Sequence, residues 1–342
     1  MVHSKSYAFV LNYSITSNRF YVLKTVKYQI SIKGLSTPSG SITFSALRRV
    51  IDVLSEGSER ALRLALEGAS VRTGRTPSWL SKSADFTLRG VKRGSTMLVF
   101  DVPTLGETAG DQIQQLDFWG EVPQLDDTAL TLLAKSVSEV KKKNVESDSY
   151  DPGVLESLAA FKSIFANGRN EVRLVSEKRP HDGFFLNTAA FEEIDNLRKS
   201  IPLPQAVLVS GFVNMIQHSQ KSFELAFENG GTVRGRIDDQ LIPIETMRRL
   251  WGKKVTVKGV LHYGASGKPR MLEAQSIETS KAGDEILESV HAVRESSEWL
   301  TGLKPALEET QMVSSIWGKW PGDESIEELL GALREDSPAR DE

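Results

Sequence analysis

Five short runs between Ala206 and Ile277 decide the most legible part of this fold. They are AVLVSGFVNMIQ (Ala206–Gln217), SFELAF (Ser222–Phe227), VRGRI (Val233–Ile237), KKVTVKGVLHY (Lys253–Tyr263) and RMLEAQSI (Arg270–Ile277). In the second run Phe223, Leu225 and Phe227 alternate with Glu224, Ala226 and Glu228. In the third, Val233, Gly235 and Ile237 alternate with Arg234, Arg236 and Asp238. A period of two places one set of side chains on a buried face and the other in water, as a strand requires. Asn229-Gly230-Gly231 supplies the turn between these two runs, and Ala265-Ser266-Gly267-Lys268-Pro269 a loop between the last two. Only IETMRRLW (Ile244–Trp251) reads as one or two helical turns. Three strands, a short helix and two strands is the order of an OB-like five-stranded Greek-key β-barrel, expected over residues 204–279. Gly211 and Gly259, inside the long first and fourth strands, suit the close bends of a small barrel.

Upstream, the pattern changes to a mixed α+β domain, expected over residues 20–200. Phe20 to Lys33 carries Tyr21, Val22, Val26, Tyr28, Ile30 and Ile32 and reads as a strand; residues 1–19 are weakly patterned and read as a poorly ordered leader. Ser41 to Phe44 reads as a second short strand. Leu47, Val50, Ile51, Leu54, Ala61, Leu62 and Ala65 then follow a helical period behind Ser45 as cap, with Gly57 a point of kink or break. Asp85–Val91 and Thr96–Val102 around Lys92-Arg93-Gly94-Ser95 predict a hairpin. Asp127 is placed to cap a helix through Leu130, Leu133, Ala134, Val137 and Val140, and Asp151-Pro152 opens another. Strands are expected at Glu171–Glu177 and Gly183–Leu186, and a helix at Thr188–Ser200. The fold class is therefore α+β: an N-terminal α+β domain, an OB-like barrel and an extended or helical C-terminal tail.

Composition narrows the chemistry. The 342 residues include no cysteine, which removes disulfides, thiolate metal sites and a cysteine nucleophile and fits a reducing, cytoplasmic setting. No apolar run reaches the roughly 18–20 residues that span a bilayer, so no membrane partner is expected. Five histidines, His3, His181, His218, His262 and His291, form no ligand-spaced pair and read as surface or loop residues, so neither a metal nor another cofactor is expected. Gly264 to Lys268 resembles a phosphate loop only superficially, because it joins two strands. Asp126-Asp127 and Asp238-Asp239 read more simply as caps and turns than as metal ligands. With no catalytic constellation in view, a non-enzymatic protein is expected.

An OB-like barrel raises the question of nucleic acid, for which Lys254, Lys258, Lys268 and Arg270 form the candidate basic patch. The aromatic residues of the second strand, however, share the inward face with Leu225. Glu224 and Glu228 beside Arg234 and Arg236 read as cross-strand pairs. Charge is concentrated elsewhere. Thr279 to Glu342 holds 6 Lys/Arg against 15 Asp/Glu, while Gln205 to Glu278 holds 10 against 7. Residues 280–342 therefore read as an acidic helical linker and partner-binding tail.

Within that tail, Pro321-Gly322 is a turn, Ser325 with Glu328 a capping box, and Asp323 and Glu324 favourable charges at a helix start. Ile326, Leu329, Leu330 and Leu333 fall on one stripe of a helix of about three turns, marginal until the stripe is buried. Trp317 and Trp320 add anchors of the type enriched at binding hot spots. The segment IWGKWPGDESIEELLGALRE (Ile316–Glu335) resembles the C-terminal tail of bacterial antitoxins that neutralise PIN-domain ribonuclease toxins. IKGLSTPSG, ALRLALEGAS and PSWL, between Ile30 and Val102, are similar to the N-terminal domain of uncharacterised bacterial proteins carrying such tails. The resemblance implies toxin binding by an extended-plus-helical segment, with a basic residue, Lys319 or Arg334, near the toxin's metal site. Small antitoxins of this sort usually begin with a DNA-binding domain, and no helix-turn-helix or ribbon-helix-helix signature stands out in this chain.

Overall fold

The computed structural model describes residues 23–38, 40–72, 74–92, 96–114, 123–165, 170–217, 221–237, 241–287 and 289–290. The N-terminal part runs β1 (Thr25–Lys33), α1 (Phe44–Glu67), α2 (Ser78–Ser83), β2 (Thr87–Lys92), β3 (Thr96–Pro103), α3 (Leu105–Thr108), α4 (Gly110–Gln114), α5 (Ala129–Lys141), α6 (Pro152–Ala160), β4 (Glu171–Ser176), β5 (Phe184–Leu186) and α7 (Thr188–Ser200). Its strands form one antiparallel sheet in the order β2-β3-β1-β4-β5. Val26, Tyr28, Ile30 and Ile32 alternate onto one face of β1 and, with Leu98, Phe100, Val102, Val172 and Leu174, meet a layer built from α1, α5, α6 and α7. This is the two-layer solution for a sheet with one apolar face. The other face carries Lys27, Gln29, Ser31 and Lys33.

Helix α1 departs from its expected form in three ways. It begins behind Thr43, whose Oγ1 accepts the Ala46 N–H at 3.2 Å, so Thr43 and not Ser45 is the cap. Ser41 to Thr43 therefore leads into the helix and forms no strand. Gly57 causes no break, because the helix needs its missing side chain: a Cβ there would lie 3.2 Å from the Leu133 side chain of α5. The buried stripe is also rotated, with Val53, Leu64 and Leu66 inside while Ile51 and Ala65 face out. Similarly, α5 is capped by Thr128, one residue after the expected Asp127, in a capping box with Thr131. Asp151 does cap α6 as expected, accepting the Val154 N–H at 3.0 Å with Pro152 in the first turn.

The second part comprises β6 (Gln205–Gln217), β7 (Ser222–Ala226), β8 (Thr232–Ile237), α8 (Ile244–Leu250), β9 (Lys254–Tyr263) and β10 (Pro269–Thr279). The five strands close into a barrel in the order β10-β8-β7-β6-β9, all pairs antiparallel except β8 with β10. That is the OB-like arrangement. Phe223, Leu225, Val233, Ile237, Val255, Val257 and Leu272 fill the interior, joined by Met247 and Leu250 of α8. Gly235 and Gly259 make the closeness of the barrel possible. A Cβ on Gly235 would meet the Phe223 ring at 2.1 Å, and one on Gly259 the Glu273 carbonyl at 2.3 Å. The α+β part and the barrel belong to one compact unit that ends at Val293; Arg294–Glu342, a second unit, lies outside the described residues.

Candidate functional site

The four basic candidates on the barrel do not share one surface. Lys268, in the β9–β10 loop, pairs with Glu146 at 3.0 Å. Arg270, on β10, donates from Nη1 to the Tyr150 carbonyl at 2.6 Å and from Nη2 to the Asp148 carbonyl. Burial draws its guanidinium below the ordinary value, and the charges of Asp151 and Asp148 pull it back up. Both residues thus fasten the barrel to the α+β domain. Arg236 of β8 does the same. It pairs with Glu67 at the end of α1 at 3.0 Å, in a site where both side chains are nearly buried. The expected cross-strand partnership of Arg236 is therefore replaced by an interdomain one, because this end of β8 brings Arg236 to Glu67, while Arg234 on the same strand stays exposed. The Arg234–Glu224 placement holds: the two residues are opposite in register.

Ala265 packs against the α+β core and a Cβ on Gly68 would touch Met271, so apolar contact reinforces the three cations. In OB-folds the second and third strands and the loop between the fourth and fifth are the usual oligonucleotide-binding elements. Here Arg236 of the third strand and Lys268 of that loop are each paired with the α+β domain. Lys254 and Lys258 lie elsewhere, on β9 beside β6. Lys254 pairs with Glu228 at 3.0 Å and sits 5.7 Å from the Phe212 ring centroid; Lys258 is exposed opposite Leu208.

A buried polar cluster forms between β1, the start of α5 and Asp182, residues too far apart in the chain for local patterning to join. The hydroxyl of Tyr28, whose side chain is wholly enclosed, bonds Thr128 Oγ1 at 3.0 Å, Thr131 Oγ1 at 3.3 Å and Asp182 Oδ2 at 3.3 Å. Thr131 donates to the same carboxylate at 3.1 Å, and Arg179 approaches Asp182 at 3.6 Å and Asp127 at 3.8 Å. Burial pushes the Tyr28 phenol and the Asp127 carboxyl up from their ordinary values. The available signal was a tyrosine at an inward position of β1, which must find a polar partner when buried. The cluster joins β1 to the capped start of α5, and its bonds are mutually satisfied.

Asp126 pairs with Lys24, and Asp127 accepts the Gln124 N–H at 2.8 Å, so the expected turn role of this acidic pair holds. Asp238 and Asp239 lie outside the described residues, as do His3, His218 and His291. His181 sits in a 3-10 turn, and His262 lies on β9 at a partly exposed position, 3.5 Å from Glu273. Among the described residues no group of three metal-binding side chains converges, and no helix is long and apolar enough to cross a membrane. An open cleft of about 530 Å³ lies by α6 and α7, lined by Val71, Gly153, Glu156, Asp195 and Arg198; its charges are of both signs. The tail candidates Trp317, Lys319, Trp320, Pro321, Asp323, Ile326, Leu329, Leu330, Leu333 and Arg334 lie outside the described residues. No protein-family model, curated protein or solved structure matches this chain.

Proposed function

We propose that this chain is a non-enzymatic, antitoxin-like binding protein that neutralises a PIN-type ribonuclease through its C-terminal tail. The observation that carries this reading is the sequence of Ile316–Glu335, in which two tryptophans precede Ser325 and Glu328 at capping-box spacing and Ile326, Leu329, Leu330 and Leu333 at the spacing of one helical stripe. A helix of about three turns gains its stability from the surface that covers that stripe, so the segment is built to fold on something. Trp317 and Trp320 supply anchor area, and Asp323 and Glu324 favour the helix start. The pairing of Arg236 on β8 and Lys268 in the β9–β10 loop with the α+β domain adds support, since it engages basic residues on elements through which such barrels usually bind. Lys319 or Arg334 would meet the acidic metal-binding residues of the nuclease.

Coexpression with the product of the adjacent gene tests the proposal. Full-length protein is expected to copurify with that product and inhibit its ribonuclease activity. Trp317→Ala with Trp320→Ala, or Leu329→Glu with Leu333→Glu, is expected to weaken binding by at least about thirtyfold, the scale of a hot-spot loss. Unchanged copurification and inhibition by both double variants would sink the idea.

A further inference from the structure

The barrel carries a second, independent surface on the side of β6, β9 and the end of α8. Its other aromatic side chains, Phe223, Phe227 and Tyr263, are buried in the core, but two are not. Trp251, directly after α8, is 69% exposed, and Phe212 on β6 is 37% exposed. The Trp251 indole N–H donates to the Asn214 carbonyl at 3.2 Å, which pins the edge of the ring against β6 and leaves a face in water. Phe212 points outward two residues away on the same side of β6, with Lys254 paired opposite it.

Cations surround these rings. Arg248 and Arg249 close α8, and Lys253 and Lys254 follow Trp251 in the chain. Arg248 is met by Glu245 at 3.6 Å and Lys254 by Glu228 at 3.0 Å. Arg249 and Lys253 are exposed and have no such pair among the described residues. A lone exposed hydrophobe needs no explanation. Two exposed aromatics flanked by uncompensated positive charge are a different matter, because the rings offer π-faces and the cations select a polyanion. Single-stranded nucleic acid combines those two properties, with stackable bases on a phosphate chain.

We propose that this surface binds single-stranded nucleic acid, with a base stacked on Trp251, a second aromatic contact at Phe212, and backbone phosphates held by Arg249 and Lys253. The site is independent of the tail: it uses residues of the barrel between Phe212 and Lys254, and the tail proposal rests on Ile316–Glu335. Either can fail alone.

Fluorescence anisotropy of a labelled twelve-nucleotide oligouridylate, titrated with the full-length chain at low salt, provides the test. Binding is expected, and it should weaken steeply as salt rises. Trp251→Ala is expected to lower affinity by about tenfold and Trp251→Phe to restore most of it. Joint replacement of Arg249 and Lys253 by alanine should reduce the slope of log affinity against log salt by about 1.4, at about 0.7 per phosphate contact on a single strand. Lys268→Ala, in the interdomain contact, should leave affinity unchanged. Absence of binding at low salt, or equal affinity of wild type and Trp251→Ala, would overturn the proposal. So would equally tight, Trp251-dependent binding of polyglutamate, which would assign the surface to an acidic protein segment.

Discussion

Asp127 shows how a residue can be read correctly as a turn former while its energetics stay hidden. Its sequence neighbours place it before a helix, and it does accept a backbone N–H there. Only the folded chain brings Asp182 close enough to raise its carboxyl further above the ordinary 3.8, on top of burial and against the pull of Gln124 N–H and Arg179. A carboxyl whose folded value is raised holds its proton more tightly when folded. Stability therefore falls as pH rises from 3.8 through that raised value, and the penalty persists at neutral pH. Asp127→Asn, which keeps an acceptor for Gln124 without the charge, is expected to melt at a higher temperature than wild type at pH 7. The difference should close on acidification below 3.8, where the wild-type group is protonated in both states. Thermal melts across that range check both the sign and the window.

Among the elements, β7 and β8 are specified by alternation, and the OB-like barrel was legible from the chain order of three strands, a short helix and two strands. What alternation could not say is why position 235 is glycine. Gly235 lies opposite Phe223, and the ring occupies the space of the missing Cβ at 2.1 Å. Gly235→Ala forces the ring, itself walled in by the barrel core, or the strand to shift. A loss of about 1–3 kcal/mol, the usual scale for overpacking, is expected in urea unfolding. An unchanged midpoint would contradict the packing described. Helix α1 makes the reverse point. Its existence was plain from periodicity, but its cap and its inward stripe were displaced. Thr43 and Ser45 are both good caps, and the choice between them depends on where the chain leaves β1. The small helices α2, α3 and α4 were not read at all, being too short for a 3.6-residue period to register.

At the scale of the whole molecule, the decisive contacts are those joining the barrel to the α+β domain. Arg270 gives two backbone carbonyls a charged donor, which neither carbonyl can replace in place. Arg270→Ala is expected to destabilise the protein by about 1.5–3 kcal/mol and to separate the unfolding of barrel and α+β domain in calorimetry. Lys268→Ala, which removes an exposed pair, should cost no more than about 1 kcal/mol. Equal effects of the two would mean that the interface is not held by Arg270. By itself the sequence determined the two architectures, because period-two and period-3.6 patterns are local and each commits its own stretch of chain. It also holds the tail's two tryptophans and the helical spacing of its apolar residues, on which the proposed partner binding rests. Only the tertiary structure decided which charges serve which purpose. Arg270 and Arg236 turned inward to the α+β domain and Lys268 pairs with it at the surface, while Trp251, Arg249 and Lys253 stayed exposed. The physical reason is that a cation's role is set by what lies across from it, and for these cations the partners are from 120 to 169 positions away or are solvent.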